Sequence, residues 1–428
     1  MRRLMVLLIT AAMWMVCGAA SAGNDRDDGS GRDRDHDRDR DRNGGLQLVS
    51  VSARPEMVSG GNVLVRVEGQ GRAGVHVYLN RRDVSGAFQQ QADGTLLGLV
   101  TGLGFGRSQL IAETSGRNGE QATLNLTNYP ITGPIFSGPH ESPFVCMTAQ
   151  FPVPGSTTVM LGAALDSDCS IATRVDYVYR TSAATFAPLP AGNAYPQDLV
   201  QTTTTTGKTV NYIVRVETGT INRAIYQTAI LHDPLKDPAP TPFAPPPSWN
   251  QRLVYTLGGG CVGGYYIQGK TVGNSGILED LMLRQGYGVA SSSLNVFGNN
   301  CQEVLAAESL MMVKERFIEN FGPAAFTIGF GCSGGSEQAQ PISDEFPGLL
   351  DGIVIGCSFP ELTAGITLGI TDADLFWHYL QGTTLTWTPA QQNAASGFPT
   401  VTTPASIGPG NAVRTKAQGG SCNAGIPV

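Results

Sequence analysis

Between Leu46 and Pro134 apolar and polar residues alternate in short runs, such as Leu46–Val51, Val63–Val67, Val75–Leu79 and Gln121–Leu126, with Gly, Asn and Asp between them. A period of two puts one face of each run on a core and the other in water, so these runs predict strands spaced as in a small β-sandwich. From about Ile135 the pattern changes. Val210–Glu217 and Ala224–Leu231 predict strands joined by the turn Thr218-Gly219-Thr220-Ile221-Asn222. A proline-rich stretch, Pro238 to Pro247, leads into Arg252–Leu257, a buried-strand run that ends in three glycines. Gly288–Ser292, Ala324–Phe330 and Leu350–Ile355 are further short apolar strands. Between them, Gln302 to Asn320 carries Val304, Leu305, Met311, Met312 and Phe317 at helical spacing, and Ser336–Phe346 predicts a helix interrupted by Pro341. Strands alternating with helices imply an α/β domain built on a mostly parallel sheet.

The N-terminus follows a different pattern. Arg2 and Arg3 precede an apolar run from Leu4 to Val16, and Ala20-Ser21-Ala22 closes it, as in a secretory signal peptide cleaved after Ala22. Residues 23–45 follow, with arginine and aspartate in near-strict alternation and no apolar residue through the run Arg32 to Arg42. Such a stretch cannot bury a core and reads as a disordered, solvated linker. The expected organisation is therefore signal peptide 1–22, linker 23–45, β-sandwich 46–134 and α/β domain 135–428, with a lid region from about residue 358.

Charge narrows the classes of function. The chain of 428 residues carries a net charge of −7, which argues against a nucleic-acid binder, since phosphate recognition needs a basic face. No later apolar run reaches the ~20 residues of a membrane span, so no integral membrane segment remains after signal cleavage and the protein is expected to be secreted or periplasmic. Export permits disulfides, and seven cysteines follow the leader, an odd number that leaves at least one without a partner in the chain. Cys146 with Cys169, and Cys261 with Cys301, are candidate pairs. No Cys/His spacing suggests zinc, so no metal or other cofactor is expected.

One motif carries chemistry. Gly331-Cys332-Ser333-Gly334-Gly335 matches G-x-S-x-G, with an apolar strand before it and a helix after it. A nucleophile elbow needs glycines around its serine because the turn is tight and bulky neighbours clash. Ser333 is the candidate nucleophile, and the N–H of Gly334 faces the developing oxyanion. About 75 residues earlier the strand Arg252–Leu257 runs into Gly258-Gly259-Gly260-Cys261-Val262-Gly263-Gly264. Gly259, Gly260 and Cys261 are candidates for the second oxyanion donor. The run lacks the lysine and the glycine spacing of a nucleotide-phosphate cradle.

Residues 331–354, from the elbow to Pro347-Gly348-Leu349-Leu350-Asp351-Gly352-Ile353-Val354, resemble the α/β-hydrolase superfamily. They are most similar to its tannase and feruloyl-esterase branch, where a cysteine precedes the nucleophilic serine. With the GGGC loop they also resemble a secreted bacterial hydrolase-like family of unknown function. The resemblance covers about residues 135–428. It implies an α/β-hydrolase fold and a secreted serine esterase acting on small or oligomeric carboxylic esters, aromatic esters or hydroxyalkanoate oligomers among them. It also implies that Cys332 pairs with a cysteine following the catalytic histidine.

In that fold the triad runs serine, acid, histidine along the chain. After Ser333 the sequence holds one histidine, His378, in an amphipathic segment placed where such enzymes insert a lid. His378 reads as a lid or surface residue and is the only candidate base; Asp351, Asp372 and Asp374 read as solvated or capping carboxylates. The expectation is a C-terminally incomplete hydrolase domain whose acid and histidine lie beyond residue 428. The alternatives are a non-catalytic secreted binding protein, or a truncated hydrolase without a full triad.

Overall fold

Residues 46–129 form two sheets whose inner faces share one apolar core. A computed structural model describes residues 45–69, 74–115, 119–192, 194–260, 266–274, 276–358 and 372–397. The expected signal peptide and linker, Cys261, the start of the lid region and the chain from 398 lie outside these residues. The first nine strands are β1 (Gln47–Ser50), β2 (Val58–Ser59), β3 (Asn62–Glu68), β4 (Val75–Leu79), β5 (Arg82–Asp83), β6 (Phe88–Gln90), β7 (Leu96–Thr101), β8 (Gly106–Thr114) and β9 (Gln121–Tyr129). They pair in the orders β1-β3-β7-β6 and β2-β9-β8-β4-β5. Val63, Val65 and Val67 of β3 meet Val77, Leu110, Ala112 and Leu126 of the other sheet in the core between them.

The remainder is built on an eight-stranded sheet. Its strands are β10 (Arg174–Arg180), β11 (Phe186–Pro188), β14 (Ile213–Ile221), β15 (Ala224–Leu231), β16 (Arg252–Leu257), β17 (Gly288–Ser292), β18 (Phe326–Cys332) and β19 (Gly352–Gly356). A separate ribbon pairs β12 (Gln201–Thr203) with β13 (Thr209–Asn211). The helices are α1 (Asp280–Leu283), α2 (Glu303–Phe321), α3 (Gly334–Glu345), α4 (Ala373–Gly382) and α5 (Pro389–Ser396). The sheet order is β11-β10-β14-β15-β17-β16-β18-β19.

This sheet corrects the expected α/β-hydrolase-type, mostly parallel architecture. Four of its pairings are antiparallel, β11–β10, β10–β14, β14–β15 and β15–β17. Only β17–β16, β16–β18 and β18–β19 are parallel. Strand outweighs helix across the described residues, and the sheets are mixed or antiparallel. The physical reason lies in the connections. The expected hairpin is present, but its turn is shorter than the five residues expected: β14 continues to Ile221, and Asn222-Arg223 alone reverse the chain, both at positive φ (54° and 64°). A two-residue turn of this kind matches the twist of the flanking strands and enforces antiparallel pairing, here in register from Val214↔Leu231 to Ile221↔Ala224. Parallel pairing is confined to the half where longer connections separate the strands, α2 lying between β17 and β18 and α3 between β18 and β19.

The central strands are buried over nearly their whole length because both faces are covered; every residue of β15 is buried, the polar Gln227 and Thr228 included. Helix α2 packs beneath them and is buried over most of its circumference, from Ala306 to Phe321. The Gln302 side chain caps its N-terminus by accepting from Leu305 N, and Gly322, at φ 84°, ends it with an N–H bond to Ile318 O of 2.7 Å. One edge of α2 also meets the first pair of sheets, where Ile318 packs with Leu64 and Leu97. Helix α3 keeps its course through Pro341, whose missing N–H removes one bond from the helical ladder.

Among the buried charges of this core, Glu217 is bonded by four side chains. It accepts from Arg316 Nε, Tyr226 Oη and Asn320 Nδ2, each at 2.9 Å, and from Arg215 at 3.2 Å. Burial opposes its charge, but Arg316 and Arg215 more than offset that and hold the carboxyl below its ordinary range.

Candidate active site

Ser333 stands between β18 and α3 with φ 58° and ψ −124°, in a region that side-chain-bearing residues rarely enter. Conformations of this kind cost of order 1–3 kcal/mol and persist where the surroundings fix them. The surroundings do so here. Ser333 N donates to Gly356 O on the neighbouring strand (3.1 Å), and its carbonyl accepts from Ser336 N (2.8 Å), Glu337 N (3.1 Å) and Ser336 Oγ (2.7 Å). The residue is exposed while Gly331, Gly334 and Gly335 around it are buried, so the strained turn lifts one side chain clear of the packed backbone.

Each of those glycines is required by a close approach. A Cβ on Gly334 would lie 1.9 Å from Gly260 O, one on Gly335 would lie 2.2 Å from Leu257 O, and one on Gly331 would lie 2.7 Å from Gly335 C. The structure thus brings the elbow and the glycine loop after β16 together. A Cβ on Gly259 would meet Cys332 O at 3.1 Å and the Cβ of Ser333 at 3.5 Å. The first N–H groups of a helix have no intrahelical acceptor, which leaves the Gly334 N–H available beside Ser333. The glycine loop is anchored from the other side, since Gly258 N donates to Asn295 O (2.8 Å) and Gly298 N donates to Gly259 O (2.9 Å).

A buried polar network behind the turn has no counterpart in the sequence reading. Gln338 Nε2 donates to Gly258 O and to Asn295 O, both at 3.0 Å, and so ties α3 to the glycine loop. Asn295 in turn accepts from Tyr255 Oη (2.7 Å) and donates to Ala306 O (2.8 Å). Gln338 and Asn295 are fully buried, where each polar atom must find a partner. The trace of this in the sequence is slight: a glutamine five residues after the serine, within the segment expected to be helical.

The cysteines also depart from the resemblance. Cys332 pairs with Cys357, just past the end of the adjacent parallel strand, and not with a cysteine that follows a histidine. The expected partner was wrong because Cys332 and Gly356 face each other in the β18–β19 register, which sets residue 357 within disulfide reach, with Cα atoms 5.2 Å apart. Cys146 is joined to Cys169, and Cys301 is disulfide-bonded; Cys261 lies outside the described residues. Changing Cys332 and Cys357 together to serine is expected to lower the unfolding free energy by about 3 kcal/mol, because the bridge closes a loop with a separation of 25 residues. Urea denaturation of the double variant checks this.

The sequence from residue 48 to residue 428 matches the model of a tannase-like family of unknown function, DUF6351. The chain belongs to that family. No curated protein matches it. The match spans the glycine loop, the elbow and the Cys332–Cys357 bridge, so these features lie within the family domain.

The described residues bring no acid or base to the serine of this tannase-like domain. Ser333 Oγ has no hydrogen-bond partner among them. His378 is exposed on α4 and makes no hydrogen bond or ion pair among the described residues. Asp351 sits at the opposite end of β18, where its Oδ2 accepts from Thr327 N at 2.7 Å. Asp372 opens α4 without a side-chain cap bond, and the side chain of Asp374 lies outside the described residues. No group of three His, Cys, Asp or Glu side chains gathers to hold a metal among the described residues. No described helix is long and apolar enough to cross a membrane.

Proposed function

We propose that the protein is a secreted serine esterase, with Ser333 as nucleophile. The observation that carries this reading is the backbone of Ser333, held at φ 58° and ψ −124° on an exposed strand-to-helix turn against a second glycine loop. Such a turn has a use when the hydroxyl must attack a substrate from above the sheet. The serine oxygen adds to the ester carbonyl and the alcohol departs, leaving an acyl-enzyme that water hydrolyses. The N–H groups of Gly334 and of the Gly259–Gly260 loop hold the oxyanion of each tetrahedral intermediate. The disulfides and the leader pattern support an oxidising, extracytoplasmic setting, and the family's tannase-like character favours esters of aromatic acids over hydroxyalkanoate oligomers.

The unpartnered Oγ of Ser333 favours one second reading, a protein that binds such esters without turning them over. Incubation of the full chain with methyl gallate, methyl ferulate, p-nitrophenyl butyrate and a hydroxybutyrate oligomer separates the two. Turnover of at least one aromatic ester, absent in Ser333→Ala, supports the esterase. Saturable binding with no turnover of any of them supports the second reading. Within the esterase reading His378→Ala is expected to retain turnover to within about twofold, as a surface residue does. A loss of kcat with unchanged KM would make His378 the base.

A further inference from the structure

The seam where α2 meets the first pair of sheets is polar at its centre and encloses a cavity of about 210 Å³. Ser59 and Asn62 line it from those sheets, and Glu315, Arg316 and Glu319 line it from α2. The two glutamates are four residues apart and therefore neighbours on one helix face. Their exposures are 1% and 6%, a depth at which carboxylates are rarely found without partners.

Glu315 makes the polar contact across the seam, accepting from Ser59 Oγ at 2.5 Å and from Ser59 N at 3.1 Å. Beside this contact Ile318 packs with Leu64 and Leu97. Glu319 has the Ser52 hydroxyl next to it, but its buried Oε1 has no hydrogen-bond partner among the described residues. An unbonded, buried oxygen costs an ionised carboxylate far more than a neutral carboxylic acid.

The charges of the seam come out uneven, three carboxylates against two guanidiniums. Helix α2 presents Glu315, Arg316 and Glu319; β14 presents Arg215 and Glu217; β15 adds the neutral Tyr226. The first pair of sheets contributes the neutral groups of Ser52, Ser59 and Asn62. Both guanidiniums are engaged by Glu217. One proton on the Glu315–Glu319 pair brings the cluster to zero net charge, and its loss leaves one uncompensated negative charge out of reach of water.

We propose that this cluster is a proton latch: the Glu315–Glu319 pair holds one proton in the folded protein, and losing it weakens the seam between α2 and the first pair of sheets. Burial raises both carboxyls, Glu319 up to about 8 against the pull of Arg316 and the Ser52 hydroxyl, and the charge of Glu319 raises Glu315 further. A folded-state value above the ordinary one fixes the direction of the pH effect. The stability carried by the proton is complete below the ordinary carboxylate value of 4.5 and is lost as pH rises from there toward 8. Once ionised, the pair repels across one helix turn, and the repulsion falls on Glu315, the residue that holds Ser59. His140, which burial lowers, titrates in the opposite sense and does so alike whatever stands at residue 319.

The test is thermal unfolding of the full chain between pH 5 and pH 8.5, in the wild type and in Glu319→Gln, whose amide stands in for the protonated acid. The wild-type Tm is expected to fall by about 3 °C more than that of the variant over this range. Amide exchange at Ser59, corrected for the intrinsic rate at each pH, locates the effect in the seam. Its protection is expected to drop by about tenfold in the wild type and to stay constant in the variant. Parallel Tm profiles, or constant protection of Ser59 in the wild type, overturn the proposal. Should Glu319→Gln fail to fold, infrared spectroscopy of the wild type decides. A carbonyl stretch of a buried, protonated carboxyl group that is present at pH 6.5 and lost by pH 9.5 supports the latch; its absence at pH 6.5, or its persistence unchanged at pH 9.5, overturns it. None of these readouts involves ester hydrolysis, so the fate of Ser333 and that of the latch are judged separately.

Discussion

Replacing Ser333 by glycine is expected to abolish ester hydrolysis and, at the same time, to make the protein more stable. Removing a serine nucleophile costs roughly 10³–10⁶ in kcat, depending on how much turnover the oxyanion donors sustain alone. The stability change has a separate origin. At φ 58° and ψ −124° any side chain is strained by about 1–3 kcal/mol, whereas glycine visits this region freely at the cost of extra entropy in the unfolded chain. The net expectation is a gain of about 1 kcal/mol for Ser333→Gly. For Ser333→Ala, which keeps the Cβ, the stability is expected to stay within about 0.5 kcal/mol of the wild type. Urea denaturation and ester turnover, measured on the same three proteins, check both halves. Stabilisation without loss of turnover would mean that the turn is strained for a reason other than chemistry.

The second large effect is expected at Gly334. An alanine there puts a Cβ at 1.9 Å from Gly260 O, a backbone atom that cannot swing aside as a flexible side chain could. Either α3 or the glycine loop must retreat by more than an ångström. That in turn breaks the bonds of Gln338 to Gly258 and Asn295. Overpacking and the loss of buried hydrogen bonds together predict a destabilisation of about 3 kcal/mol or more, with loss of turnover. Gly382→Ala is the control. Nothing lies within 4 Å of a Cβ at that position at the end of α4, so a change of less than about 0.5 kcal/mol is expected. Equal tolerance of the two alanines in thermal unfolding would show that the elbow and the loop are not in contact in solution.

Local pattern was readable where one face of an element meets the core and the other meets water, or where both are buried over a short run. Val75–Leu79, Ala224–Leu231, Arg252–Leu257 and Gly288–Ser292 coincide with β4, β15, β16 and β17. The expected helix 302–320 coincides with α2 to within a residue at each end. Strand direction was less legible, and that produced the wrong sheet. Apolar runs read alike in parallel and antiparallel settings: the hairpin of β14 and β15 was expected, but the antiparallel strands β10 and β11 beside it, and the antiparallel pairing of β15 with β17, were not. The elbow was visible because its serine and three glycines fall within five consecutive residues. Its supports, Gln338, Asn295 and Cys357, were not, because they meet Ser333 and the glycine loop only through the fold. Glu315 and Glu319 sit among charged neighbours on a helix and look like solvated positions until the first pair of sheets is seen to cover them.

Covalent labelling tests most directly whether Ser333 is a reactive nucleophile. The full folded chain is treated with a fluorophosphonate probe and the modified peptide is mapped by mass spectrometry, with Ser333→Gly and urea-unfolded protein as controls. The prediction is a single modified serine, Ser333, labelled in the folded wild type and in neither control. A folded protein that remains unlabelled at Ser333, or one that reacts no faster there than when unfolded, would contradict the central claim.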